Sequence, residues 1–195
     1  MKRITLFLAA LVVTVALSSG SVKAQGVSFH FGGGIAMGAG DLGEVTGTGW
    51  LGFAGVDLPI ASMPGLAVGA TGSYAHIPYE GEGDFAVNFT ALLGELSYLI
   101  GATSASPFKP YVRGGVGIVR NSHSSGYENG DSESENKLAG GAGAGILYAA
   151  RQVSPFIGAH YFTSGSEASY YTVYAGISIG SGGGTAAAIR RAVRR

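Results

Sequence analysis

Tyr170-Tyr171-Thr172-Val173-Tyr174-Ala175-Gly176-Ile177-Ser178-Ile179 carries the decisive pattern of this chain. In an extended strand, residues two apart share a face. Tyr171, Val173, Ala175, Ile177 and Ile179 therefore line one side, and Tyr170, Thr172, Tyr174, Gly176 and Ser178 the other. One face is apolar and uncharged; the other is mostly small or polar. A soluble barrel hides its bulky apolar groups inside and shows charge outside. An apolar face free of charge fits a hydrocarbon environment, with the small or polar face turned to a lumen.

The same alternation recurs upstream. Val27, Phe29, Phe31, Ile35 and Met37 oppose Ser28, His30, Gly32, Gly34 and Ala36. Leu66, Val68, Ala70 and Tyr74 oppose Ala67, Gly69, Thr71 and Ser73, and Val112, Gly114, Val116 and Ile118 oppose Tyr111, Arg113, Gly115 and Gly117. Eight such segments follow one another, at 26–39, 46–58, 65–77, 85–100, 109–121, 137–149, 153–163 and 170–180. Most exceed the five or six residues usual in soluble sheets and match the tilted length of a membrane strand. Two segments fit less cleanly. Around Trp50 both faces are apolar. In the fourth, Phe85, Val87 and Phe89 lead one phase while Leu92, Leu96, Tyr98 and Ile100 follow the other, which a β-bulge at Ala91–Leu93 would reconcile.

The breaks between segments alternate as well. Ten of the 12 acidic residues fall after odd-numbered segments: Asp41, Glu44, Glu80, Glu82, Asp84, Glu128, Asp131, Glu133, Glu135 and Glu167. Breaks after even-numbered segments are short and nearly free of acid. Long loops outside and short turns in the periplasm are the outer-membrane pattern. The expected fold is all-β, an eight-stranded antiparallel up-and-down transmembrane β-barrel behind an N-terminal signal peptide.

Composition agrees. Lys2 and Arg3 precede the apolar run Ile4 to Leu17, and Val22-Lys23-Ala24 has the form of a cleavage site, so 1–24 reads as a secretory signal. Residues 25–181 form the barrel and 182–195 a Gly-rich, then Arg-rich, disordered tail. With no cysteine, stability cannot come from disulfides. Thirty-five glycines disfavour long helices. Past the signal there is no apolar run long enough for a helical span, and only helices and closed barrels satisfy every backbone group in lipid. The formal net charge of zero hides a polarity: between signal and tail there are five basic and 12 acidic residues, and four arginines end the chain. Nucleic acid is not expected as the partner of an exported chain.

At Pro110-Tyr111-Val112-Arg113-Gly114-Gly115-Val116-Gly117 the chain resembles the small outer-membrane β-barrels of the OmpA/OmpX type, whose fifth strand often opens with a Pro-Tyr-x-x-x-Gly-x-Gly run. The resemblance covers about residues 26–180 and implies the eight-stranded fold rather than a function. One departure is the ending: such chains usually finish on an aromatic of the last strand, whereas here Gly180 is followed by the tail.

Candidate functional residues follow from parity. Glu95 and Arg113 both fall on the inner face. A turn centred near residue 104 sets them directly opposite each other, so they are expected to form an interior salt bridge that fills the lumen, since a charge inside must be paired. As a gate in a narrow channel the pair would be functional; as filler it would be structural. Tyr74, Tyr79, Tyr98, Tyr161 and Tyr171 are candidates for the interfacial aromatic girdles. The longest loop carries Glu128, Asp131, Glu133 and Glu135, a solvated surface with adhesion or binding of divalent cations shared with lipopolysaccharide as the functional alternative.

His30, His76, His123 and His160 lack metal-ligand spacing, and no cofactor is expected. His160 is the one candidate acid–base group for a lipid-modifying enzyme, but no nucleophile or orienting partner can be picked out, so catalysis is not expected. Gly47-Thr48-Gly49-Trp50-Leu51-Gly52 matches GxGxxG without the strand-and-helix context that gives it meaning. The expected role is an integral outer-membrane protein, structural or surface-interacting, in contact with outer-membrane lipids and lipopolysaccharide and open to an extracellular ligand through its loops. A narrow porin-like channel is the alternative, and an envelope enzyme the third reading.

Overall fold

The computed structural model describes residues 26–81, 85–124, 134–150, 153–164 and 168–180. The expected signal peptide, the tail and the acidic residues Glu82, Asp84, Glu128, Asp131, Glu133 and Glu167 lie outside the described residues. Eight strands run β1 (Ser28–Ala39), β2 (Thr48–Pro59), β3 (Leu66–Pro78), β4 (Ala86–Leu99), β5 (Phe108–Ser124), β6 (Ser134–Tyr148), β7 (Val153–Thr163) and β8 (Ser169–Gly180). Each pairs antiparallel with the next, and β1 pairs with β8 to close the barrel. Closure removes the edge strands that would otherwise seek other chains. Among the described residues no helix is long and apolar enough to cross a membrane. A five-residue helix, α1 (Asp41–Val45), stands in the first acidic break, where no helix was expected.

The expected bulge in β4 is absent. Leu66↔Tyr98 to Pro78↔Ala86 is one unbroken register with β3, and Ala86↔Ser124 to Leu99↔Tyr111 another with β5. The apolar phase changes because the surroundings change along the strand. Toward the α1 end, called here the loop end, Val87 and Phe89 turn inward and are buried, while Leu92, Leu96 and Tyr98 face outward farther down. The double apolar character around Trp50 has the same origin: Trp50 is outward, with Leu51 and Phe53 inward.

The inner face is filled by large side chains seated over glycines of neighbouring strands, the large-and-small alternation that packs a narrow barrel. A Cβ on Gly115 would meet Glu95, one on Gly143 would meet His160, and one on Gly176 would meet Phe156. Gly158 faces two side chains at once: its Cβ would stand 2.6 Å from the Tyr111 hydroxyl and 2.8 Å from that of Tyr174. Gly158→Ala is expected to cost about 1–3 kcal/mol by overpacking, read as a lower urea midpoint. Outward Gly52, whose Cβ would meet nothing within 4 Å, is the matched control and Gly52→Ala should leave the midpoint in place.

At the opposite, tight-turn end the chain reverses at Gly101, which holds φ +64°, a value glycine adopts without strain. Lys109 is buried there, its Nζ donating to the carbonyls of Gly101 and Ser104, both at 2.7 Å, and to the Ser104 hydroxyl at 2.8 Å. These bonds satisfy all three ammonium protons and tie the β4–β5 turn to the barrel wall.

Candidate functional site

Strand parity delivers five polar side chains to one level of the lumen. Phase places His30 of β1, Asp57 of β2, Thr71 of β3, Glu95 of β4 and Arg113 of β5 inward. Their contacts form a closed circuit. His30 Nε2 lies 3.1 Å from Thr71 Oγ1, and Thr71 Oγ1 donates to Glu95 Oε2. Glu95 Oε2 lies 3.8 Å from Arg113 Nη1, Arg113 Nη2 lies 3.8 Å from Asp57 Oδ2, and Asp57 Oδ2 lies 3.0 Å from His30 Nδ1. Because the single Thr71 proton goes to Glu95, its oxygen accepts from His30, which places a proton on Nε2. The His30–Asp57 approach is close but lies off the ring N–H direction, so Nδ1 makes no hydrogen bond in it.

Glu95 and Arg113 therefore do meet, though not as the turn arithmetic implied. Glu95 pairs with Gly115 and Arg113 with Ser97, so the contact is diagonal, two residues away from direct opposition. The β4–β5 turn is centred one residue later than assumed. Arg113 also has a second carboxylate, Asp57, and its guanidinium lies 5.9 Å from the Tyr111 ring centre. Asp57 was missed, yet a signal existed: it and Glu95 are the two acids that no loop claims.

The Tyr111 and Tyr174 hydroxyls face each other at 3.1 Å on the other side of the lumen. Toward the loop end the interior turns aromatic. Phe89, Phe162 and Tyr170 are each at most 2% exposed. The Tyr170 ring lies 4.9 Å from Phe89 and 4.8 Å from Phe162, in stacked or tilted geometry. Small cavities remain among the described residues. One of about 90 Å³ lies at the tight-turn end beside His30, Asp57 and Tyr111; one of about 50 Å³ lies at mid-height beside Glu95, His160 and Thr172. Both are lined by Arg113, which stands between them.

His160 faces the lumen, with Gly141 and Gly143 leaving it room and its Nε2 without a partner. Among the described residues no group of three His, Cys, Asp or Glu side chains is placed to hold a metal ion. The GxGxxG stretch runs into β2 and opens no helix.

Outside, the wall is apolar: Phe31, Val116, Ile118, Leu138, Ile157 and Val173 are all more than 40% exposed. Among the described residues, Arg120 is the one charged side chain at an outward strand position. Tyr74, Tyr98, Tyr161 and Tyr171 point outward and are exposed, with Tyr161 and Tyr171 5.0 Å apart. Tyr79 does not. It is half-buried against the core cluster and bridges to Thr46, and burial raises its phenol above the ordinary value. Trp50, and Phe108 with Tyr148 at 5.2 Å, are outward aromatics that alternation alone did not single out. Of the acidic loop, Glu135 is described: it is exposed and pairs with Lys137 at 3.2 Å.

A closed eight-stranded barrel with polar and aromatic side chains in its lumen and a largely apolar exterior is the architecture of small bacterial outer-membrane proteins. Solved structures of like fold are of that class. Neisserial surface protein A (NspA) superposes with a TM-score of 0.61 at 15% identity, covering 80% of this chain and 96% of that one. The N-terminal β-barrel domain of Pseudomonas aeruginosa OprF gives 0.52 at 14% identity over 80% and 98%. Ail, the attachment invasion locus protein of Yersinia pestis, gives 0.52 at 15% identity over the same shares. These likenesses define the fold. No family model matches the sequence, and no curated protein matches it.

Proposed function

We propose that this chain is a non-catalytic outer-membrane anchor, exported by its N-terminal signal, whose loop end faces outward as an interaction surface while its lumen stays shut. The observation that carries this reading is the interior: an ion circuit through five strands and, above it, an aromatic stack, with a cavity of about 50 Å³ between them and one of about 90 Å³ at the tight-turn end. A small barrel is just wide enough to be filled by side chains, and the circuit and the aromatic stack support that reading here. Four acidic connections at the loop end support an outward, solvated surface, with outer-membrane lipids and lipopolysaccharide as its neighbours. Among the structures of like fold, Ail has been crystallised with the heparin analogue sucrose octasulfate. That is a property of Ail; for this chain it supports only the idea that a barrel of this fold can meet a ligand. A lumen-facing His160 flanked by glycines supports a non-catalytic reading, because a lipid substrate would approach from outside.

Planar-bilayer recording tests the closed lumen. The barrel is expected to insert without discrete conductance steps. Stable, voltage-independent openings would instead establish the narrow channel, with Arg113 between the two cavities as its gate.

A further inference from the structure

Three buried polar atoms of the ion circuit have no hydrogen-bond partner among the described residues: His30 Nδ1, Asp57 Oδ1 and Arg113 Nε. All three side chains line the cavity of about 90 Å³ at the tight-turn end. A polar atom buried without a partner costs free energy that a bound molecule can recover. The three atoms differ in what they ask for. With its proton on Nε2, His30 presents a lone pair at Nδ1, and this lone pair faces Asp57 Oδ2 at 3.0 Å. Two acceptors therefore stand side by side with no proton between them, and Asp57 Oδ1 is a third. Arg113 Nε is a charged donor. Asp57 and Arg113 approach to 3.8 Å through Oδ2 and Nη2, so an anion and a cation at close quarters each keep an unused atom. Nearer the mouth the cavity is lined by the hydroxyl residues Ser28, Ser97 and Ser178, with Leu147 and Phe156 as apolar wall. Its volume leaves room for roughly six to nine water-sized groups.

We infer that this cavity is a binding site for a small α-amino acid. The ammonium donates to Asp57 and to the His30 Nδ1 lone pair, which gives the facing acceptors a proton to share. The carboxylate accepts from Arg113 Nε in a charge-assisted bond and from the serine hydroxyls. A short side chain lies against Leu147 and Phe156. A simple anion would meet the Asp57 carboxylate and a simple cation the Arg113 guanidinium, so a ligand that carries both charges fits where neither alone does. The volume excludes a large side chain. Arg113 closes the cavity toward mid-height, so the occupant enters and leaves through the tight-turn end. On the proposed orientation that mouth opens to the periplasm, and the site is a dead end rather than a passage.

Ligand-detected saturation-transfer NMR on the mature barrel, in neutral detergent at neutral pH, tests the site with L-alanine as the probe. Alanine should give a saturable signal. Half-saturation should rise at least about tenfold for N-acetyl-L-alanine, which lacks the ammonium, and for L-alaninamide, which lacks the carboxylate. L-Phenylalanine should rise by as much, because its ring exceeds the space. Ala67 lines the same cavity, and Ala67→Leu should remove the alanine signal, with a retained heat-dependent gel shift showing that the variant is folded. No saturable signal from alanine would mean that the cavity holds water alone. Equal signals from alanine and either derivative would mean that the two charges are not read. Each of these outcomes overturns the site, and each is read on the unaltered barrel. An alanine signal unchanged in folded Ala67→Leu would overturn it as well, by placing the binding elsewhere.

Discussion

Arg113→Met lowers the stability of the folded barrel by about 3–5 kcal/mol, the range for breaking a buried ion pair by removing one partner. Methionine keeps much of the stem volume and removes the cation. Glu95, 3% exposed at the side chain, and Asp57, 17% exposed, then share the lumen without a counter-charge. Thr71 still donates to Glu95, but a single hydroxyl does not neutralise two carboxylates. The loss is read as a shift in urea-induced unfolding from lipid vesicles, followed by Trp50 fluorescence. The triple variant Asp57→Asn, Glu95→Gln, Arg113→Met should recover most of it, because the cost lies in orphaned carboxylates rather than in a lost attraction. A single variant within 1 kcal/mol of the wild type would show that the circuit is not organised around this charge.

Phe89→Ala should produce a loss of similar size, about 3–5 kcal/mol, for a different reason. Phe89 is fully buried inside the barrel against Tyr170, which in turn stacks on Phe162. Truncation leaves a hole that the closed wall cannot collapse to fill, so the cavity term is added in full to the transfer term. Phe31→Ala is the informative comparison. Phe31 is outward and 44% exposed, and mobile acyl chains can occupy the space it vacates. Its loss should be well under half that of Phe89→Ala in the same urea assay. Equal losses would mean that the two faces are not the distinct environments described here.

That comparison also marks how far the sequence can be read. Strand parity assigned Phe31 outward and Glu95 and Arg113 inward from alternation alone, and the eight expected segments coincide with the eight strands to within about three residues. Alternation succeeds because the two faces of a strand in a closed wall meet different media along most of its length. It misleads where the medium changes partway along a strand. In β4 the lumen turns aromatic near the loop end while the outer surface turns polar at Asn88 and Thr90, so the apolar phase switches without any bulge. Tyr79 shows a second limit: lying just past β3, it has no strand parity to direct it, and tertiary contacts turn it toward the core.

The amino-acid pattern by itself determined the class of fold, the number of strands and, where the medium is constant along a strand, which faces turn to the lumen, because each follows from a period of two and from the chemistry of the breaks. Which lumen residues touch was decided only by the tertiary structure. Contact across strands depends on register, and moving the β4–β5 turn centre by one residue shifts Arg113 from opposite Glu95 to opposite Ser97. Asp57, His30 and Thr71 join the circuit because closure brings β1, β2 and β3 around to face β5 across the lumen. The cavity at the tight-turn end likewise draws its lining from all eight strands, and no local stretch of sequence contains it.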